Sequence, residues 1–374
     1  MKILIDNNIP FIQGIFEPFA EVVYKQGSAI LRSDLLDTDA LITRTLTICN
    51  ETLLFGTKVK FIASATIGFD HIDTDFCKKN NIAWTNASGC NSLAVAQYVL
   101  AALLQIAQNT KMKFDKTTIG IIGVGNVGKK VAALCYSLGM NVLLCDAPRK
   151  NNENESSFLD IDEIVKNSDI ITLHVPLNVD GIYKTKHLFD EKMFKKTKAH
   201  IFINTSRGEV VDSTALKSAI KSGKIGFSVI DVWENEPSID KSLLSLVTLA
   251  TPHVAGYSQE GKREGTQMTV QALAKFFNLE IDKRQIENLP EIEHEIIIDC
   301  KEKSLTDILQ DIVRYIYDIS LDSNLLKHNG NCFENLRTNY KFRREFAAYK
   351  IYAKNIDAEQ KKILNLLQFK IANY

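Results

Sequence analysis

Through roughly the first 260 residues, short apolar runs alternate with stretches whose apolar positions recur every three or four residues. The runs Lys2–Ile5, Ala40–Ile42, Phe61–Ala63, Thr118–Ile122, Asn141–Cys145, Ile170–His174, His200–Ile203 and Phe227–Val232 are mostly rich in Val and Ile, and most are bounded by Gly, Asn, Asp or Pro. A continuous apolar run of this length is what a strand covered on both faces requires. Such strands belong to parallel sheets whose crossovers are helices. The helices fall between them. Ser92–Ala107 opens on a Ser/Asn cap and continues in helix formers. Asp212 caps a helix over about Ser213–Ser222 that Gly223 ends. The pattern predicts an α/β architecture.

After about Gln285 the pattern changes. In EIEHEIIID the residues Ile292, His294, Ile296 and Ile298 alternate, which predicts a half-buried strand. In SLTDILQDIVRYIYDIS, Leu305, Ile308, Leu309, Ile312, Val313 and Ile316 recur at three- and four-residue steps, an amphipathic helix. A last helix is expected near Ala358–Ile371. This part reads as a separate α+β module with no Gly-rich or catalytic-looking motif. KNNENESS, residues 150–157, reads as a polar surface loop, and no internal repeat is visible.

Bulk composition narrows the function classes. A length of 374 residues accommodates two or three domains. Lys+Arg and Asp+Glu both number 45, so no global field favours nucleic acid or anionic membranes, and neither is expected as a partner. The seven cysteines, at 49, 77, 90, 135, 145, 300 and 332, form no CxxC pair. That argues against a disulfide framework or a zinc ribbon, and no metal is expected; a reducing cytoplasm fits best. MKILIDNNIP has an apolar run of only three residues before Asp6, which is no signal peptide. The longest apolar stretch, Leu93–Ala107, is broken by Gln97 and Gln105 and falls short of the about 20 residues that cross a bilayer.

The chemistry concentrates in TTIGIIGVGNVGKKVAALCYSLGMNVLLCDAP. Gly123, Gly125 and Gly128 form GxGxxG, a weak pattern alone. Here it follows an expected strand, opens a helix and precedes a second strand ending in Asp146, which makes it a strong dinucleotide signature. The first glycine permits the tight turn, the second lets a pyrophosphate approach the backbone, and the third lets helix and strand pack. The loop Gly123, Gly125, Asn126, Val127 and Gly128 would place the pyrophosphate at a positive helix end. Asp146 stands where a carboxylate accepts from the adenosine ribose and repels a 2′-phosphate, so NAD is favoured, with Arg149 keeping NADP open.

Three polar loops follow strands of this same region: INTSRGEVVD with Arg207, DVWENEP with Glu236, and ATPHVAGYS with His253. Ligands of open α/β sheets bind at the carboxyl ends of strands. Beside NAD the expected chemistry is hydride transfer from a 2-hydroxy acid. An imidazole can take the hydroxyl proton, a neighbouring carboxylate can orient it, and a guanidinium fork can bind the substrate carboxylate. Each residue also has a structural reading: His253 as a packed core histidine, Arg207 as a helix cap or surface ion, Glu236 as an exposed loop charge. Their joint placement favours the catalytic one.

GVGNVG, NTSRGEVVD, DVWENEP and TPHVAG, in this order, resemble the D-isomer-specific 2-hydroxyacid dehydrogenases over roughly residues 1–280. The resemblance implies an NAD-dependent oxidoreductase with Arg207, Glu236 and His253 as its catalytic set. MKILIDNNIP, ITRTLTICNETLL, FIASATIGFDHID, NASGCNSLAVAQYVL, LLCDAPR and GYSQEGKREGT are similar to one branch of that family, which oxidises a small phosphorylated 2-hydroxy acid in pyridoxal 5′-phosphate (vitamin B6) biosynthesis and carries a C-terminal dimerisation domain. It implies two Rossmann-like lobes that close by hinge motion: a discontinuous substrate lobe (1–92 and 258–284) and an NAD lobe (93–257). A dimerisation domain over 285–374 completes a cytoplasmic homodimer. Motif matches add Asp146, Val175, Ser206, Arg207, Asp231 and Gly256 on the cofactor side, and Thr45, Thr66 and Tyr257 on the substrate side. Threonine at 45, where the family often has serine, keeps the hydroxyl and adds a methyl. Arg44 is a phosphate candidate on charge grounds, with a surface salt bridge as its other reading. Asp231 could instead fix the DVWENEP loop. His71 and His174 read as structural, and Cys90 has no required part in hydride transfer. Another 2-hydroxyacid dehydrogenase, or a dehydrogenase-like protein that senses NAD and binds partners, remain the alternatives.

Overall fold

The computed structural model describes residues 1–153, 157–281, 286 and 288–372. The expected domain boundary at 284/285 lies outside them. The chain divides into two compact units, Met1–Asn91 with Ser258–Pro290, and Ser92–Tyr257 with Glu291–Tyr374.

The first unit holds five parallel strands: β1 (Lys2–Asp6), β2 (Glu21–Lys25), β3 (Ala40–Thr43), β4 (Phe61–Ser64) and β5 (Ala83–Asn86), in the order β2-β1-β3-β4-β5. Because successive side chains point to opposite faces, Ile3, Ile5, Ile42 and Ala63 join Val270 and Leu273 in one apolar layer. Leu4, Leu41 and Ile62 join Leu53, Cys77 and Ile82 in the other. Val270 and Leu273 come from the helix Gln259–Phe277, which Ser258 caps through the Gly261 N–H at 2.9 Å. The edge strands β2 and β5 are absent from the hydrophobic pattern. EVVYK and AWTN are only half-buried and mix polar with apolar residues, so they lack the continuous run that marks the central strands.

The second unit holds six parallel strands: β6 (Thr118–Ile122), β7 (Asn141–Cys145), β8 (Ile170–Leu173), β9 (Ile201–Asn204), β10 (Phe227–Ile230) and β11 (Leu249–Ala250), in the order β11-β10-β9-β8-β6-β7. The strand order reverses beside β6, so the turn after β6 and the loop after β8 flank the crevice where ligands of such sheets bind. The helix Ser92–Thr110 is buried nearly all round. It packs against the helix Asn126–Ser137 on one side and against Leu305–Ile316 and Ile319–His328 on the other.

Residues 291–372 build a further parallel sheet, β12 (Ile296–Asp299), β13 (Lys350–Lys354) and β14 (Lys370–Ala372), in that order. Ile296 and Ile298 face the core and Ile297 is exposed, as the alternation requires, but the strand begins only at Ile296, and His294, expected on the inward face, is exposed. The final helix stops at Leu366, short of the expected Ile371. Gln368 takes a left-handed φ of 68°, Phe369 stacks on Phe346 at 4.6 Å, and the chain turns into β14. Within the 150–157 stretch, residues 150–153 form the end of a helix, Ala147–Glu153, where a loop was expected, and Ser157 is an exposed turn residue. Among the described residues no helix is long and apolar enough to cross a membrane.

Candidate active site

The turn after β6 explains its three glycines separately. Gly123 has φ 88°, and a Cβ there would lie 2.5 Å from the His174 carbonyl oxygen and 2.8 Å from a Val175 methyl. At Gly128 a Cβ would meet the Gly123 oxygen at 2.0 Å. Both are closed by packing. At Gly125 a Cβ would meet nothing within 4 Å, so this glycine keeps open space at the start of the helix Asn126–Ser137. That is the cradle a pyrophosphate needs: an open approach to backbone at the positive end of a helix. Val127 packs its side chain into the core beneath the turn.

Asp146, after β7, accepts from the Val124 N–H at 2.8 Å and the Arg149 N–H at 3.1 Å, which aims its carboxylate beside the glycine turn. Arg149 is turned onto Glu153 at 2.8 Å and the Val124 carbonyl at 2.9 Å. A guanidinium already paired with a carboxylate is poorly placed to receive a 2′-phosphate. After β8, both ring nitrogens of His174 meet hydroxyls, Thr172 at 3.0 Å and Thr205 at 3.2 Å. Burial pushes that imidazole down to about 3, so it is neutral.

The loop after β9 carries Ser206 and Arg207. Ser206 is buried and donates to Asn204 Oδ1 at 2.7 Å, and Arg207 Nη1 donates to the Ser206 carbonyl at 2.8 Å. A Cβ on the following Gly208 would lie 2.0 Å from the backbone of Trp233. The Arg207 loop therefore rests directly on the loop after β10 that holds Glu236.

Glu236 and His253 form the centre. Glu236 Oε2 lies 2.7 Å from His253 Nδ1, and Oε1 accepts the Trp233 N–H at 2.9 Å. Both side chains are mostly buried. Burial pushes the Glu236 carboxyl up, but the His253 charge and hydrogen bond, the Trp233 N–H and the Arg337 guanidinium outweigh it and hold the group below its ordinary range. With Nδ1 committed to the carboxylate, Nε2 is the nitrogen left for proton transfer. His253 itself takes a left-handed φ of 58° and donates its N–H to the Asp231 carbonyl at 2.8 Å. The Asp231 side chain accepts from Thr251 Oγ1 at 2.6 Å, Val254 N–H at 2.8 Å and Ala255 N–H at 3.0 Å. Asp231 thus shapes the turn that presents His253. Gly256 and Tyr257 continue this turn, both half-buried.

The C-terminal module contributes groups that the sequence pattern did not single out. Arg337 Nη1 lies 3.7 Å from Glu236 Oε2. Tyr340 and Phe342 meet the Tyr257 ring edge-on at 5.9 and 5.6 Å. Arg343 is buried and donates to the carbonyls of Val254 and Ala94, both at 3.0 Å, Tyr257 at 3.3 Å and Ala255. FENLRTNYKFRREF has no helical or strand period; its one signal is the interleaving of arginine with aromatic residues.

In the first unit, Arg44 Nη1 donates to the Asn8 carbonyl at 3.0 Å and Thr45 is exposed. Thr66 Oγ1 is fixed between Ser64 Oγ at 2.8 Å and the Gly68 carbonyl at 3.0 Å, and Ser64 Oγ also meets His71 Nε2 at 3.2 Å. Burial pushes the Cys90 thiol up to about 11, so it stays protonated at neutral pH.

The chain is similar to known proteins along its whole length. Residues 98–255 match the D-isomer specific 2-hydroxyacid dehydrogenase, NAD binding domain, and residues 289–367 match a domain of unknown function, DUF3410. An erythronate-4-phosphate dehydrogenase of Bacteroides fragilis is 47% identical over 353 residues, 94% of this chain and 99% of the relative. One from Escherichia coli O1:K1 / APEC is 39% identical over 379 residues, 100% of this chain and 99% of the relative. The structure of a D-lactate dehydrogenase from Aquifex aeolicus, complexed with NAD and lactic acid, superimposes with a TM-score of 0.60 at 25% identity, covering 74% of this chain and 96% of the other. With an open glycine turn at a helix start, an acid beside it and a carboxylate-held imidazole in one Rossmann unit, and relatives alike from end to end, the chain belongs to the erythronate-4-phosphate dehydrogenase family of the D-isomer specific 2-hydroxyacid dehydrogenases.

Proposed function

We propose that this chain oxidises 4-phospho-D-erythronate to 2-oxo-3-hydroxy-4-phosphobutanoate, a step of pyridoxal 5′-phosphate biosynthesis, with His253 as the base. It is an NAD-dependent dehydrogenase, and NAD, when bound, would supply the acceptor for the C2 hydride. Gly123, Gly125, Asn126, Val127, Gly128 and Asp146 would hold that cofactor, with Val175, Ser206, Arg207, Asp231 and Gly256 around it. His253 Nε2 takes the proton of the C2 hydroxyl as the C–O bond becomes a carbonyl. Glu236 stabilises the imidazolium that results, and Arg207 binds the carboxylate through its fork. Arg44, Thr45, Thr66 and Tyr257 are the remaining substrate contacts, with Arg44 assigned to the phosphate.

The observation that carries this reading is the 2.7 Å contact between Glu236 and His253. It commits one imidazole nitrogen and leaves the other for the substrate. The test is formation of reduced nicotinamide from 4-phosphoerythronate by the parent and by His253→Ala. A general base contributes about 10²–10⁴ in rate, so the variant loses that factor; unchanged turnover removes His253 from the mechanism. A parent that prefers 3-phosphoglycerate overturns the substrate.

The same reading makes the chain a cytoplasmic homodimer. All seven cysteines stand unpaired, which fits a reducing compartment. Leu321 and Leu325, one turn apart on the helix Ile319–His328, are exposed, as are Tyr315 and Ile297. Light scattering is expected to give twice the chain mass for the parent and a smaller species for Leu321→Glu/Leu325→Glu. A monomeric parent sinks the dimer.

A further inference from the structure

We propose that Arg337, carried by the C-terminal module, is a positioning residue of the proton-transfer pair: its charge keeps the Glu236–His253 couple from holding the proton too tightly. The inference rests on the reading of His253 as the base.

Arg337 stands on the short helix Phe333–Thr338. Its Nη1 lies 3.7 Å from Glu236 Oε2, the same oxygen that His253 Nδ1 meets at 2.7 Å. That distance is too long for a hydrogen bond but short for a charge interaction inside a protein. The hydrogen bonds of the carboxylate go to the imidazole and to the Trp233 N–H. Arg337 therefore acts on the pair as a charge rather than as a clamp.

The charged and titratable groups around His253 explain why a charge is needed. On the acidic side stand Glu236 in contact and Asp231 beneath the turn, with Glu334 on the helix of Arg337 itself. Tyr257 lies against Arg337. Arg207, on the neighbouring loop, is the group assigned to the substrate carboxylate, and Arg343 is committed to four backbone carbonyls. Arg337 is the cation placed on Glu236 itself. A carboxylate without such a cation beside it favours the imidazolium more strongly, and a protonated imidazole cannot accept the proton of the substrate hydroxyl. Removing Arg337 strengthens the hold of the acids on that proton, so the neutral base is lost at a higher pH. The module that was expected to serve assembly thus takes part in the chemistry.

The experiment compares full-length parent, Arg337→Gln and Arg337→Lys, with NAD and 4-phosphoerythronate, as profiles of kcat and kcat/KM against pH. For Arg337→Gln the acid limb moves to higher pH by about one unit. Rates on that limb fall about tenfold, while the alkaline plateau and KM on the plateau stay within about threefold. Arg337→Lys keeps the parental limb. An unshifted limb in Arg337→Gln overturns the proposal. So does a large rise in KM at every pH without a shift, which makes Arg337 a substrate-anion site, and so does a lysine variant that behaves as the glutamine one. Circular dichroism checks folding, and Arg337→Met replaces Arg337→Gln if the latter does not fold. Full activity in His253→Ala defeats the underlying reading, whereas a hundredfold loss there with an unshifted limb in Arg337→Gln defeats this inference alone.

Discussion

Replacing Glu236 by glutamine removes its charge while the side chain keeps its shape, and it exchanges one acceptor oxygen for an NH2 donor. Two donors depend on those oxygens: the Trp233 N–H at 2.9 Å and His253 Nδ1 at 2.7 Å. Glutamine has one oxygen to offer. If it stays with Trp233, the amide NH2 faces Nδ1 and drives the imidazole proton onto Nε2, the nitrogen that must be unprotonated to act as a base. If it turns to His253, two N–H groups oppose each other at Trp233, which costs about 1–3 kcal/mol. In both arrangements the imidazolium formed during turnover loses its counter-charge. Opposite charges about 4 Å apart attract by about 4 kcal/mol at an effective dielectric constant of about 20, which converts to about a thousandfold in rate.

The assay is the initial rate of nicotinamide reduction at saturating NAD and 4-phosphoerythronate, on the pH plateau, with a melting curve to confirm the fold. The loss is expected in kcat, since Glu236 acts on the charge that develops during the reaction and not on ground-state binding. Glu236→Asp keeps the charge but cannot span both donors, so it falls between parent and glutamine variant. A glutamine variant within tenfold of the parent, with the parental pH dependence, refutes the assignment of Glu236 as the partner of the base.

Gly125→Ala and Gly128→Ala separate cofactor binding from folding. Gly125 has open space where a Cβ would go, so its variant melts with the parent while its KM for NAD rises at least about tenfold; a Cβ at Gly128 meets the Gly123 oxygen at 2.0 Å, so that variant loses stability. Equal melting temperatures for the two refute the division. The acid side of the stability curve follows from His71, whose imidazole burial pushes down to about 4 from an ordinary 6.5. Between those values the unfolded chain takes up a proton that the folded chain refuses, so stability falls as pH falls. His71 alone withdraws about 2 kcal/mol between pH 7 and pH 5. Denaturant midpoints at the two pH values are expected to differ by less in His71→Gln than in the parent, and an equal difference discounts this cause.

What the sequence made legible was whatever is written locally. A buried central strand is a short, mostly apolar run wherever it occurs, and a dinucleotide turn is three glycines with an acid at a fixed remove, so β6, β7 and Asp146 could be placed from their own neighbourhoods. Edge strands such as β2 and β5 are half-wet and escape that rule. The turn that carries His253 shows the harder limit. His253 owes its left-handed backbone and its aim to Asp231, 22 positions earlier. Thr251, bound to the same carboxylate, is in turn met at 2.6 Å by Tyr98, 153 positions away. Arg343, some 90 positions further on, draws the carbonyls of Val254, Ala255 and Tyr257 onto one guanidinium. None of these partners has a spacing that a periodic reading can detect, because each is selected by where the fold brings it. Burying a cation such as Arg343 is costly unless its donors are met. The turn can supply those carbonyls only while it holds the conformation that presents His253. Geometry at His253 and stability of the C-terminal module are therefore one requirement, and a substitution that loosens either is expected to loosen both.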